Sequence, residues 1–121
     1  MTPRAKTSAH PTPEPFLRFT HSADLRARTL AILEAVEGAA DATAHGQALA
    51  DVVVELTHAG LDAYFMQPLK LAKTGFVVQQ SANLGMAGAR QVMGSVIRSI
   101  IGRMDDPQLR SVCESIRGFM A

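Results

Sequence analysis

An apolar stripe runs unbroken from Phe76 to Met104. It constrains the fold of this chain more than any other feature. At 3.6 residues per turn, Val78, Ala82, Gly85, Met86, Ala89, Val92, Met93, Val96, Ile97, Ile100 and Met104 share one side of a helix, with Gln80, Gln91 and Arg98 opposite. The stripe spans roughly 29 residues, about 43 Å at 1.5 Å per residue. A helix cannot bury such a stripe against itself. Other helices of the chain, or a second copy of it, must cover it.

The rest of the composition supports a helical core. The chain has 121 residues, which suits one domain. It contains no Trp and one Tyr, so Ala, Val, Leu, Ile and Met build the interior. The lone Cys113 excludes an internal disulfide and fits a reducing compartment. Arg4 and Lys6 are followed by no apolar run, which argues against a secretory signal. No window of about 18 apolar residues exists, so no transmembrane segment is expected and the expected location is cytoplasmic.

Net charge is +1, which argues against nucleic acid as a partner. Its distribution says more. From Thr29 to Gln67 every formal charge is acidic; from Lys70 to Arg103 every one is basic. Neighbouring acidic and basic helices explain this simply. A basic face aimed at an acidic partner is the functional counterpart, and Arg90 and Arg98, about 80° apart on a helix, form no tight anion clamp.

Taken in order, residues 1–20 carry Pro3, Pro11, Pro13 and Pro15 and read as a flexible Pro-rich arm, within which Phe16, Leu17 and Phe19 are an apolar exception, expected to dock on the chain's own core, with insertion into a partner as the alternative. Residues 21–121 read as a single helical domain. Ser22 caps helix 1, about Ala23 to Ala39, with Leu25, Thr29, Ile32, Leu33 and Val36 on one face. Helix 2 runs from about Ala44 to Met66, with Thr43 as a cap. It is apolar on two sides, as a central or interface helix would be. Pro68 ends it or begins the next helix, so helix 3 starts either there or after Gly75, with Leu71 extending the stripe backwards. In Asp105-Asp106-Pro107, Asp106 caps helix 4, which runs from Pro107 to about Gly118. The fold class is all-α: a four-helix bundle around one long, kinked or interrupted central helix, with helix 2 covering its first half and helix 4 its second.

The best chemical constellation is the polar line of helix 2: Asp51, Glu55, His58 and Asp62. Glu55 and His58 have the Glu-x-x-His spacing used by helical carboxylate metal sites, and Glu34 and Glu37 are available on helix 1. The simpler reading is a solvent strip. No cofactor is expected on that reading; a divalent metal is the alternative. No nucleophile elbow or phosphate loop is present, and Cys113 lies on an apolar face. The chain is therefore read as a non-enzymatic, self-associating helical module, a homodimer acting through protein contacts. Candidate interface residues are Val54, Leu61, Phe65, Gly85, Gly88, Ala89 and Met93. A metal- or small-molecule-binding bundle is the second reading. Association with a lipid or granule surface through the uncharged Thr74–Ala89 segment is the third; its polar face is poor in Lys and Arg.

Overall fold

The structure is a computed structural model that describes residues 22–120. The arm at 1–20, with Phe16, Leu17 and Phe19, lies outside the described residues. Among those described, all regular structure is helical: α1 (Ala23–Gly38), a 3-10 turn (Ala42–His45), α2 (Gly46–Leu61), a π-helical turn (Asp62–Met66), α3 (Gln67–Leu71), α4 (Phe76–Ile101) and α5 (Asp106–Phe119).

Local chemistry sets most of the boundaries. The Ser22 side chain accepts the Leu25 N–H at 3.0 Å and caps α1 as expected. Buried Thr29 satisfies its hydroxyl by donating to the Leu25 carbonyl at 2.7 Å. Two caps differ from expectation by a residue or two. Asp41, not Thr43, opens the 3-10 turn by accepting from Thr43 N–H, and α2 begins at Gly46. Asp105, not Asp106, caps α5, in a capping box with Gln108: each side chain bonds the other's backbone N–H at 3.0 Å.

The larger difference is at Pro68. Helix 2 does not end there. Proline has no N–H for the carbonyl four residues back, and its ring crowds that carbonyl. The chain absorbs this by widening one turn just before it: Gln67 N–H bonds the Asp62 carbonyl, five residues back. Helical segments of 16, 5 and 5 residues thereby run on to Leu71. The reversal comes at 72–75, where Lys73 (φ 54°) and Gly75 (φ 97°) take left-handed conformations. Leu71 thus ends the descending limb rather than extending the stripe. The long helix, α4, is one uninterrupted 26-residue helix.

α2–α3 and α4 form an antiparallel hairpin. Asp51 meets Arg98, Val54 meets Gly94, His58 meets Arg90 and Leu69 meets Gln79. A Cβ at Gly94 would make an ordinary contact with Val54 Cγ1 at 3.7 Å and would crowd the Arg98 guanidinium at 3.1 Å. The descending limb therefore accompanies α4 along its whole length, rather than covering half and leaving the rest to α5. α1 and α5 are seated on the open end of this hairpin. The core lies there, around Leu33, Val36, Leu49, Ala50, Leu109 and Cys113. It is organised around α2 rather than α4, whose only buried residues are Met86, Gly94 and Ile101.

Candidate functional site: the outer face of α4

The polar line of α2 is divided among separate partners. Asp51 accepts from Arg98 Nε at 3.0 Å. Glu55 pairs with Arg28 of α1, whose hydrogen bond holds its carboxyl below the usual carboxylate range. His58 Nε2 lies 3.4 Å from the Arg90 carbonyl oxygen, and Asp62 accepts from Gln67 at 3.1 Å. Glu37 is held by a two-pronged pair with Arg117, at 2.7 and 2.9 Å, and its carboxyl is likewise held low. Glu34 is exposed. The structure does not bring these six residues together, and no cluster of three or more His, Cys, Asp or Glu among the described residues stands ready for a metal ion. Arg90 Nε, on the hairpin seam, is buried without a hydrogen-bond partner among the described residues.

Sequence reasoning missed one network. Arg110 bonds Asp106 at 2.8 and 3.1 Å and donates to the carbonyls of Val36, Glu37 and Ala39 at 3.2, 3.1 and 2.6 Å. Asp106 also accepts Ala42 N–H at 2.7 Å. The guanidinium stands at the negative end of α1, whose last turn has no basic residue of its own. The i,i+4 spacing of Asp106 and Arg110 is visible in the sequence; their target is not. The role is structural: it ties α1 to α5.

The interface candidates divide into two sets. Val54 is buried against Gly94, and Leu61 and Met93 are half-buried, so these serve the hairpin itself. Gly85, Gly88 and Ala89 are exposed, as is half of Phe65. A Cβ on Gly85 or Gly88 would meet nothing within 4 Å.

These exposures show how the stripe is used. The descending limb covers one edge of it, where Ala82, Met86, Met93 and Ile97 are buried or half-buried. The other edge is at the surface: Val78 45%, Val92 63%, Val96 49% and Ile100 55% exposed. Together with Gly85 and Ala89, these residues fall within about 80° of one another on the helix. The uncovered edge carries no charge: the only ionised side chains of α4 are Arg90 and Arg98, and both are turned elsewhere. A second exposed cluster lies at the hairpin tip, where Leu71, Phe76 and Val77 are 75–81% exposed around Lys70 and Lys73.

Among the described residues, the outer edge of α4 is an uncharged apolar surface. No helix among the described residues is long and apolar enough to cross a membrane. No protein-family profile matches the chain, and neither a curated protein nor a solved structure matches it.

Proposed function

We propose that this chain is a non-enzymatic helical module that works by self-association through the outer face of α4. The observation that carries this reading is the uncovered half of the stripe. Four large aliphatic side chains and two small residues stand on an uncharged surface running most of a 26-residue helix. A contiguous apolar surface of this kind, cleared of charge, marks an association site. Pairing two α2–α4 hairpins through this face sets four helices side by side, two from each copy. The lone, buried Cys113 suits a reducing, cytoplasmic setting. Native mass spectrometry with size-exclusion light scattering at micromolar concentration tests the reading: the wild type is a dimer, and Val92→Glu with Val96→Glu is a monomer that keeps its helical circular dichroism. A wild-type monomer throughout that range overturns it.

A second reading is favoured by the hairpin tip. Lys70 and Lys73 form no ion pair with a carboxylate of the described residues, and Leu71, Phe76 and Val77 project around them. An exposed apolar tip beside two cations fits an anionic lipid surface, with the lysine stems along the acyl boundary and their charges at the headgroups. Co-sedimentation with vesicles of anionic lipid, lost with zwitterionic lipid and with Phe76→Ser, is the expected result; equal sedimentation with both removes this reading.

A further inference from the structure

We infer that the two copies meet antiparallel, about a two-fold axis level with Ala87. This rests on the self-association proposed above and adds the orientation and register of the partner.

The seam of the uncovered face is a heptad pattern. Val78, Gly85, Ala89, Val92 and Val96 lie on it, and half-buried Ala82, at its boundary with the covered edge, completes spacings of four and three, the a/d repeat of a coiled coil. The positions of the seam are symmetric about Ala87. Val78 and Val96 stand nine residues on either side of Ala87, and both are half-exposed, 45% and 49%. Gly85 and Ala89 stand two residues on either side. Ala82 and Val92 stand five on either side, small opposite large. An isologous contact requires that residue i meet j while j meets i. An antiparallel pair centred on Ala87 satisfies this with every large side chain opposed to a valine or to a small residue.

No described residue of the same copy packs against the glycine beside this centre. Gly85 is in open space, has an ordinary helical conformation and costs about 1 kcal/mol in a helix interior relative to Ala. Gly85 facing Ala89 of the second copy lets two backbones approach closely, which a fluid or granular surface would not require.

Two further features choose antiparallel over parallel. A parallel pair puts both Lys70–Lys73 tips together, and also both α1–α5 ends, which stand at the same end of α4. An antiparallel pair separates the two basic tips, each then standing toward the partner's end that carries Arg103, Asp105 and Asp106, and aligns the helix dipoles favourably.

Cysteine cross-linking in the full chain tests the register. Val78→Cys and Val96→Cys proteins are mixed, oxidised and weighed. The expected product is the mixed Val78→Cys/Val96→Cys disulfide dimer, with little of either homodimer, because like positions lie about 27 Å apart along the axis. In parallel, Gly85→Leu weakens the dimer by at least about tenfold, while Gln91→Leu, on the other side of α4, leaves it unchanged. A dimer by native mass that yields the two homodisulfides instead, or no disulfide at either position, overturns the register and leaves self-association standing. A monomer overturns both.

Discussion

Arg110 Nη2 donates to the carbonyl oxygen of Ala39 at 2.6 Å, across 71 residues of sequence. The same guanidinium holds Asp106 and two further carbonyls at the end of α1. A planar fork with fixed donor directions can do this, whereas an ammonium on a flexible stem cannot. Arg110→Lys should therefore lower the melting temperature and speed amide exchange in the last turn of α1 and the first turn of α5, with the α2–α4 hairpin unaffected. Uniform loss of protection over all helices would show that the contact is not local.

Acid should unfold this end first. Hydrogen bonds from Arg110, and then from Ala42 N–H, hold the Asp106 carboxyl below its ordinary value; Arg117 does so for Glu37 and Arg28 for Glu55. A carboxyl with a lower pKa folded than unfolded binds more protons in the unfolded chain, so its contribution is complete above the ordinary carboxylate value near 4 and is lost as pH falls through the folded value. Urea midpoints should fall progressively below about pH 5. Arg117→Gln should flatten that fall; an unchanged slope would remove Glu37 as a contributor.

At the hairpin tip Gly75 has φ 97° and ψ 168°, a region open only to glycine. Gly75→Ala should cost about 1–3 kcal/mol. The cost should show in chemical denaturation and as faster exchange at Thr74–Gln79. A change below measurement error would mean that the turn relaxes freely.

Gly88 is exposed, helical and in open space, just beside the seam rather than on it. Gly88→Ala should stabilise the fold by about 0.5–1 kcal/mol, since it restricts the unfolded chain and meets no neighbour. Destabilisation of that size instead would mean that something closely covers Gly88 in solution.

How far the sequence reached depended on the range of each interaction. Ser22, the Asp105–Gln108 box and the spacing of Leu25, Thr29, Leu33 and Val36 act within one or two turns, so α1 and α5 were legible to within a residue or so. Pro68 was legible as a breaker, but the outcome depended on packing: the limb beyond it lies along α4, and one widened turn costs less than giving up that contact. The polar line of α2 showed its spacing. That Arg28 and Arg98 would each take one carboxylate was decided by which helices became neighbours.

Local patterning alone makes the chain helical, sets where most of its helices begin, and gives α4 more apolar surface than one neighbour can cover. Periodicity and capping are properties of the local chain, and they survive any packing. Which edge of the stripe is covered was settled by how the helices pack. A helix partner shields a limited arc, and α2 took the edge with Met86 and Ile97, leaving Val78, Gly85, Ala89, Val92 and Val96 at the surface. That choice depends on the hairpin turn at 72–75 and on Val54 closing against Gly94, contacts between residues that periodicity places on separate helices without saying how those helices meet.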